Sequence, residues 1–473
     1  MEENYDLVVI GAGAAGLTAA GFGGKVGART ALIERDKLGG DCTWRGCVPS
    51  KSLLKVAKIA HAMRSADQYG IAASVPQVNM PAVRSYIFSA IDEIYQHETP
   101  DVFAGEYGVD VILGSASFVD STTIQVGERR LKARKIIIAT GGRPTVPDIP
   151  GLHDVPFVTN DTLFENERLP QHLIVIGGGP IGMEMAQAYA RLGAKVTVID
   201  KGIFQKDEPE VAALMLPILQ AEGIRFQTGT AASVSGEGGD VTVTLADGTH
   251  VTGDMLLAAV GRTPNTENLG LERAGVRHDA AGIWVDDYLR TSVKHIYAIG
   301  DCTQGPKFTH YAGFQGGVAA QNALLPVINA KGHDAVLPRV TFTEPEVAQV
   351  GLMEAQAREK YGRKVKVYHF PLSQGDRSVA DNDSAGFIKI VYRGSGHILG
   401  ATVVADRAGE MITEFSLLMK TRLKLTDIVN TMHAYPTYSD IVRKAISFLV
   451  IDELFKGTTG AVIKPALKLL YRK

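Results

Sequence analysis

The apolar positions of this chain form two copies of one pattern: a short apolar strand, a glycine turn, a helix and a second strand. The first copy has strands at residues 5–10 and 30–33, joined by a helix of small residues. The second copy has strands at residues 172–176 and 195–199 and a helix over residues 183–192. Strands that alternate with helices in this way are typical of a parallel sheet, so an α/β fold is predicted.

Both turns have the glycine spacing of a dinucleotide-binding fingerprint. The six glycines that carry this spacing are Gly11, Gly13, Gly16, Gly177, Gly179 and Gly182. Glycine allows a tight turn, the following helix N-terminus attracts a pyrophosphate, and an acid at the end of the next strand bonds the ribose. Glu34 and Asp200 are those acids, each 18 residues past the last glycine of its copy. Two complete fingerprints predict two dinucleotide sites in one polypeptide.

The stretch between and after the fingerprints suggests that one nucleotide domain is inserted in the other. Residues 136–142 are a buried strand that runs into a glycine turn, residues 260–265 repeat this strand-then-glycine form, and prolines between residues 144 and 150 indicate a linker. A further strand at residues 296–300 leads to Asp301. We therefore predict that the second nucleotide domain interrupts the first, which resumes near residue 276.

The order of predicted strands and helices changes at about Pro338. Alternating strands are predicted at residues 364–370, 386–392 and 398–404, and helices at residues 409–421 and 439–456. This order of elements predicts a separate α+β domain.

The segment from Gly39 to Lys51 carries the candidate chemistry. Cys42 and Cys47 are five positions apart, a spacing that permits a disulfide if the chain enters a helix near Cys42. The glycines let the backbone approach a flat ring, and the lysine favours a reactive thiolate. The spacing alone fits two buried cysteines in a glycine-rich turn as well as a redox pair. The two fingerprints favour the redox pair.

The composition describes a soluble globular protein of several domains. The 473 residues are 45% hydrophobic and 21% charged, with a net charge of -2, so a general basic surface for nucleic acid is excluded. Three cysteines are too few for a secreted disulfide scaffold. No apolar run reaches the roughly 18 residues of a membrane span, and a βαβ pattern that begins near residue 5 predicts no signal peptide. A cytoplasmic location is expected.

In these motifs, and over essentially its full length, this chain resembles the FAD-dependent pyridine nucleotide-disulfide oxidoreductases. That family includes dihydrolipoamide dehydrogenase, glutathione reductase and mercuric reductase. The resemblance rests on both fingerprints, on the cysteine segment, and on the short motifs at residues 139–141, 298–301 and 343–346. It implies FAD at the first fingerprint, NAD(P)H at the second, and a homodimer interface in the last domain. The predicted division is 1–150 with 276–337 for FAD, 151–275 for NAD(P)H and 338–473 for dimerisation.

The resemblance also implies roles around the flavin. Cys47 is the thiol nearer the flavin, Cys42 is the thiol that meets the substrate, and Glu184 pairs with Lys51. Glu184 could otherwise be an exposed helix residue, and Asp301, implied to hold the ribityl chain, could cap a helix. The implied FAD-binding residues are Gly11, Gly13, Gly16, Glu34, Gly40, Lys51, Thr140, Gly141 and Asp301.

The second fingerprint indicates which nicotinamide cofactor is used. The implied NAD-binding residues are Gly177, Gly179, Gly182, Asp200 and Gly261. An acid at position 200 favours the free 2′-hydroxyl of NADH and repels the 2′-phosphate of NADPH. The positive charges of Lys201 and Lys206 nearby weaken this discrimination against NADPH. NADH is the predicted donor.

Residues 433–440 depart from the pattern of the lipoamide and glutathione reductases. Those relatives carry His-x-His-Pro and a glutamate here, and the second histidine acts as acid and base across the dimer. In this chain Tyr435 occupies the histidine position and Asp440 the glutamate position. A tyrosine with a pKa near 10 is a poor base at neutral pH, although its hydroxyl can donate a hydrogen bond. His433 is the alternative base.

Mercuric reductases also have a tyrosine in this region, so the resemblance to them is closest. The chain lacks their N-terminal Cys-x-x-Cys module and their C-terminal cysteine pair, which hands the metal ion to the active-site cysteines. Efficient mercury reduction is therefore not expected.

The C-terminal segment predicts a basic amphipathic helix. Lys464, Lys468 and Arg472 recur every four residues, and apolar residues occupy another face. Such a helix can bind an anionic membrane or a partner protein, or pack on its own chain.

The predicted function is a homodimeric flavoenzyme that passes electrons from NADH through FAD to Cys42–Cys47 and then to an acceptor. The acceptor is a thiol-reactive metal ion, a disulfide or a quinone-like molecule. One alternative is dihydrolipoamide dehydrogenase activity. Another is a redox-sensing or electron-transfer module whose partner docks at the basic tail.

Overall fold

A computed structural model describes residues 2–325, 327, 329–334, 336–394, 396–456 and 458–471 of the chain. The chain divides into two compact units: Met1–Gly202 with Gln220–Asp334, and Ile203–Leu219 with Ala335–Lys473. The three domain boundaries given above stay a prediction.

The first unit contains a mixed sheet built on the first fingerprint strand, Glu2–Ile10. This strand lies between Thr30–Glu34 and Arg129–Ile138 and is parallel to both. Ile296–Ala298 pairs in parallel with Arg129–Ile138, although it follows the second fingerprint in the sequence. The remaining strands, Asp110–Leu113, Thr123–Val126 and Ala116–Phe118, extend the two edges. The chain thus leaves this sheet, forms the second fingerprint and returns, which confirms the predicted insertion.

A second, all-parallel sheet carries the second fingerprint. Its strand order is Ile224–Thr228, Lys195–Asp200, His172–Ile176, Met255–Ala258. A three-stranded antiparallel sheet of Ala231–Glu237, Asp240–Leu245 and His250–Gly253 belongs to the same part of the chain. Apart from His172, the strands His172–Ile176 and Met255–Ala258 of the parallel sheet are apolar and buried, as is typical of a parallel sheet covered on both faces.

Short strands and helices complete the first unit. Gly142–Pro144 pairs with Arg262–Pro264 in a two-stranded ribbon, and His278–Asp279 pairs with Gly282–Ile283. The helices are Ala14–Lys25, Gly40–Trp44, Cys47–Arg64, Met80–Tyr95, Pro100–Tyr107, Asn160–Leu163, Pro180–Leu192, Leu271–Ala274 and Thr309–Leu324.

The second unit is an antiparallel sheet with helices, as predicted for an α+β domain. Its strand order is Arg339–Thr341, Glu346–Gly351, His397–Ala405, Phe387–Arg393, Val365–Pro371. Its helices are Glu354–Tyr361, Asp376–Ala380, Ala408–Thr421, Leu425–Val429, Tyr438–Lys456 and Thr458–Leu470, with most of Pro209–Ala221. Apolar residues of the sheet and of the long helices form one core that includes Phe370, Phe415 and Ile446.

A buried lysine pairs with the segment from the middle of the chain that belongs to this second unit. Lys389 is 1% exposed, and its Nζ lies 3.1 Å from Glu208, 2.7 Å from Glu210 and 2.9 Å from Glu354. A buried charge is tolerated only when it is paired and hydrogen-bonded, so the lysine depends on these carboxylates.

No helix within the described residues is long and apolar enough to cross a membrane.

Candidate active site

The first fingerprint turn is held so tightly that only glycine fits two of its positions. Gly11 has a φ of 102°, and a Cβ there would lie 2.4 Å from the carbonyl oxygen of Ala139. A Cβ on Gly16 would lie 1.8 Å from the carbonyl oxygen of Gly11, so the helix packs directly on the turn. The Ala12 N–H donates to Glu34 Oε2 at 2.7 Å, which places this carboxylate at the turn.

The second fingerprint repeats this geometry. Gly177 has a φ of 124°, and a Cβ there would lie 2.4 Å from the carbonyl oxygen of Ala259. A Cβ on Gly182 would lie 1.9 Å from the carbonyl oxygen of Gly177. The Gly178 N–H donates to Asp200 Oδ2 at 2.6 Å. In both copies, the acid predicted to bind a ribose lies at the turn that begins the helix.

The two turns fit the phosphates of a dinucleotide. Gly13 and Gly179 are the N-caps of Ala14–Lys25 and Pro180–Leu192, and no side chain caps either helix. The N–H groups of the first turn of each helix, apart from Pro180, which has none, therefore remain for an anionic group. A Cβ on Gly179 would meet no atom within 4 Å, and one on Gly13 would meet only the Cα of Gly40, at 3.9 Å. Backbone donors with open space in front of them are what a pyrophosphate requires.

The cysteine segment is bound to the first turn through main-chain atoms. The Gly39 N–H donates to the Ala12 carbonyl at 2.9 Å, and Gly40, with a φ of 59°, packs against Gly13. A Cβ on Gly40 would lie 2.7 Å from the Cα of Gly13. The helix Gly40–Trp44 carries Cys42, and Cys47 begins the helix Cys47–Arg64. Both thiols thus lie beside the turn predicted to bind FAD.

The two thiols are free in the structure and electrostatically unequal. Cys42 donates a hydrogen bond to Cys47, which lowers the pKa of Cys47 to about 6 and raises that of Cys42. Thr309 adds a second hydrogen bond, with its Oγ1 3.2 Å from Cys47 Sγ, and the charge of Lys51 lowers the Cys47 pKa further. Burial opposes this decrease at Cys47 and reinforces the increase at Cys42. The stable ionised form of the pair has its thiolate on Cys47.

Lys51 and Glu184 form the ion pair that the resemblance implies. Lys51 Nζ lies 2.9 Å from Glu184 Oε2, and the Glu184 side chain is 7% exposed. The alternative of an exposed helix residue at position 184 is therefore wrong.

Arg262 joins the cysteine segment to Asp301. Its guanidinium lies 3.0 Å from Asp41 Oδ2 and 3.1 Å from Asp301 Oδ2, and it donates to the Gly142 carbonyl at 2.9 Å. The arginine side chain is 14% exposed. Asp301 lies in a 3₁₀ turn, Gly300–Cys302, that begins at the end of the returning strand.

The two strand-then-glycine motifs bind each other. The Thr140 hydroxyl donates to the Asn265 carbonyl at 2.6 Å, and the Asn265 amide donates to the Thr140 carbonyl at 3.0 Å. Gly141 and Gly261 have φ values of 69° and 145°, which favour glycine at both positions. The backbone that follows the strand Arg129–Ile138 is thus fixed by the backbone that follows the strand Met255–Ala258.

Cys302 takes no part in the thiol pair. It is fully buried, and its thiol bonds to the carbonyls of Ile299 and Ile138. Burial raises its pKa, which makes it an inert core residue.

In the second unit, Tyr435 and Asp440 do not bond to each other. The Tyr435 side chain is exposed, and its hydroxyl donates to Asp376 at 3.2 Å, which raises the tyrosine pKa. The buried Asp440 accepts from Arg443 at 2.8 Å. His433 is engaged at both ring nitrogens, by Glu414 at 3.2 Å and by the Thr431 carbonyl at 3.0 Å.

The C-terminal helix, Thr458–Leu470, is largely exposed in the single chain. Leu467, Leu470 and Tyr471 are 40%, 76% and 80% exposed, and Lys464 and Lys468 are exposed as well. Arg472, the third predicted basic position, lies outside the described residues. Whether a membrane, a partner or a second chain covers these side chains stays a prediction.

Three residues near the thiols were not identified from the sequence: Thr309, Arg262 and Asp41. Thr309 reaches Cys47 from 262 positions away, and no local motif indicates such a contact. Arg262 directly follows Gly261 and Asp41 directly precedes Cys42, so their places in two motifs were a usable signal. No group of three or more potential metal ligands occurs among the residues that the structure describes.

Two family models match the chain. Residues 5–316 match the family described as pyridine nucleotide-disulphide oxidoreductase, and residues 337–446 match its dimerisation domain. The second match supports the predicted homodimer.

Known proteins are similar over nearly the whole chain. A mercuric reductase of Lysinibacillus sphaericus is 36% identical over 94% of this chain and 82% of its own length. A dihydrolipoyl dehydrogenase of Chlamydia muridarum is 36% identical over 96% of this chain and 98% of its own. The Cu(II) complex of RclA from Escherichia coli, an HOCl-induced flavoprotein disulfide reductase, is 27% identical with a TM-score of 0.85, covering 94% of this chain and 100% of that one.

The paired fingerprints, the thiol pair beside the first of them and these similarities agree with the predicted fold, FAD and NAD(P)H. The chain belongs to the pyridine nucleotide-disulphide oxidoreductase family of FAD-dependent enzymes that use NAD(P)H.

Proposed function

We propose that this enzyme uses NADH to reduce the Cys42–Cys47 disulfide, and that the resulting dithiol delivers two electrons to a thiol-reactive metal ion. The observation that carries the proposal is the unequal thiol pair beside the first fingerprint, with Cys47 as thiolate. A bound FAD would accept a hydride from NAD(P)H and pass two electrons to a disulfide.

The residues around the pair support different roles for the two cysteines. Thr309 and Lys51 stabilise a negative charge on Cys47. Reduction of the disulfide from the cofactor side therefore leaves Cys47 as the thiolate. Cys42 keeps its proton and its hydrogen bond to Cys47, which suits the thiol that exchanges with the acceptor. Glu184 holds Lys51, and so fixes the cation that favours the thiolate.

The acceptor class follows from the base that is missing in the second unit. Dihydrolipoamide oxidation requires removal of a thiol proton, and neither Tyr435, bonded to Asp376, nor His433, bonded at both nitrogens, offers a free base. A metal ion carries no such proton. Similarity to mercuric reductases makes the mercuric ion the first acceptor to test, and slow turnover with it is expected.

The basic tail and the cell compartment stay predictions. The exposed apolar residues of Thr458–Leu470 support an occupant at the tail, either an anionic membrane or a partner protein. A cytoplasmic location is consistent with the use of NADH and a free thiol pair.

The main prediction separates the two cysteines in the holoenzyme. Cys47→Ser and Cys42→Ser should both abolish NADH-dependent reduction of mercuric ion, while NADH still bleaches the flavin. Cys42→Ser should show, without reductant, the long-wavelength absorbance band of a thiolate beside an oxidised flavin, and Cys47→Ser should lack it. Cys302→Ser is the control and should retain turnover. A band that survives in Cys47→Ser would reverse the assignment of the sulfurs.

The hydrogen bond from Thr309 predicts a shift in thiol ionisation. Thr309→Val removes the hydroxyl near Cys47, so the pKa of Cys47 should rise above about 6 and the thiolate band should fade at a higher pH than in the unmodified enzyme. Thr309→Ser keeps a hydroxyl and is the matched control. An absorbance titration of the reduced enzyme measures both. Equal midpoints for Val and Ser would show that the hydroxyl does not act on Cys47.

The acid at the second fingerprint predicts the cofactor preference. NADH should exceed NADPH in kcat/KM, and Asp200→Ala should narrow the difference, because loss of a charged hydrogen bond costs about 1.5–3 kcal/mol. Asp240→Ala removes an exposed carboxylate from the same domain and should leave the ratio unchanged. A preference for NADPH in the unmodified enzyme would contradict the role of Asp200.

Tyr435 predicts poor dihydrolipoamide dehydrogenase activity. Positioned general bases contribute roughly 10²–10⁴-fold, so Tyr435→His should raise NAD reduction by dihydrolipoamide, although Arg443 on Asp440 limits the gain. Tyr435→Phe lacks a base and should give no gain. Steady-state rates at equal flavin content provide the measurement. Robust activity before any change would identify another base and restore the lipoamide alternative.

A further inference from the structure

A carboxylate lies over the loop that joins the two redox cysteines. Asp41 directly precedes Cys42 in the helix Gly40–Trp44. Its Oδ2 would lie 3.1 Å from a Cβ placed on Gly46, the residue before Cys47, and its carbonyl would lie 3.0 Å from the same atom. The absence of a side chain at position 46 therefore leaves room for the carboxylate between the two cysteine positions.

Arg262 fixes this carboxylate in place. Its Nη2 lies 3.0 Å from Asp41 Oδ2, while its Nε bonds Asp301 at 3.1 Å. Burial raises the pKa of Asp41, and the positive charge of Arg262 opposes this increase. The single positive charge of Arg262 is thus shared between Asp41 and Asp301, so it does not fully neutralise the negative charge of Asp41.

The other charges near the loop are unevenly distributed. Lys51 acts on Cys47 from the side of Glu184, and Arg45 bonds Asp36 at the exposed end of the loop. The carboxylate of Asp161 adds to the negative field at Asp41 and at Arg262. Asp41 raises the pKa of both cysteine thiols and so opposes Thr309 and Lys51 at Cys47.

We propose that Asp41, positioned by Arg262, makes the Cys42–Cys47 pair a stronger reductant. When the disulfide takes up two electrons, its S–S bond breaks, Cys42 takes up a proton and Cys47 is left as a thiolate. A fixed carboxylate beside the loop disfavours that negative charge and therefore the reduced form. A pair whose reduced form is less stable has a lower potential and gives up its electrons more readily.

Asp41 is a positioning and tuning residue in this proposal, and the inference rests on the redox role proposed above for the pair. The consequence concerns the acceptor. A more reducing dithiol extends the range of acceptors that the enzyme can reduce, without any change in the residues that contact them.

The test is the thiol–disulfide equilibrium of the holoenzyme in mixtures of reduced and oxidised dithiothreitol. In this exchange, dithiothreitol is oxidised to its cyclic disulfide as the Cys42–Cys47 disulfide is reduced. The fraction of enzyme dithiol is measured by alkylation and mass spectrometry. Asp41→Asn should shift the equilibrium about tenfold toward the dithiol, which is ~30 mV for a two-electron couple. Asp41→Glu keeps the charge and should shift it far less.

Asp36→Asn is the matched control, because it removes an exposed carboxylate that bonds Arg45 of the same loop. It should leave the equilibrium unchanged. An unshifted Asp41→Asn, or an equal shift in Asp36→Asn or Asp41→Glu, would overturn the inference. If Asp41→Asn loses its flavin, Asp41→Ser makes the same charge change and decides the result. Failure of the unmodified enzyme to form any Cys42–Cys47 disulfide would instead refute the proposed function.

Discussion

The main-chain contact between the cysteine segment and the first fingerprint is the constraint on which the active site depends. Gly39 bonds the Ala12 carbonyl, and Gly40 packs against Gly13 with no room for a Cβ. Because these contacts involve only backbone atoms, the thiols are placed at the dinucleotide turn before any side chain contributes. The side chains of Thr309, Lys51 and Asp41 then determine the ionisation of a pair whose position is already set.

A second layer of constraint comes from contacts between the two halves of the first unit. The Thr140–Asn265 bonds and the ribbon of Gly142–Pro144 with Arg262–Pro264 join segments about 120 positions apart. Arg262 is carried into the cysteine region by this ribbon. A residue that belongs to the second half of the sequence therefore controls charge at a site built from the first half.

Local patterns were sufficient to predict most of the framework. The fingerprint strands, the inserted domain, three of the five strands described in the second unit and the Lys51–Glu184 pair follow from periodicity, glycine spacing or motif resemblance. Contacts that depend on tertiary packing did not follow from the sequence. Thr309 contacts Cys47 only because its helix begins beside the cysteine loop. Tyr435 and Asp376 are brought together by the tertiary fold, and no sequence motif indicates their hydrogen bond.

The buried Lys389 has a consequence for how the chain can be divided. Two of its three carboxylate partners, Glu208 and Glu210, are synthesised about 180 positions before it and belong to the helix region that follows the second fingerprint. A fragment that begins near Pro338 would keep Glu354 but lose Glu208 and Glu210, and removing partners from a buried charge is destabilising. The second unit is thus not expected to fold when it is expressed without the rest of the chain. Expression of this unit alone would also have to include residues 203–219, supplied as a separate peptide.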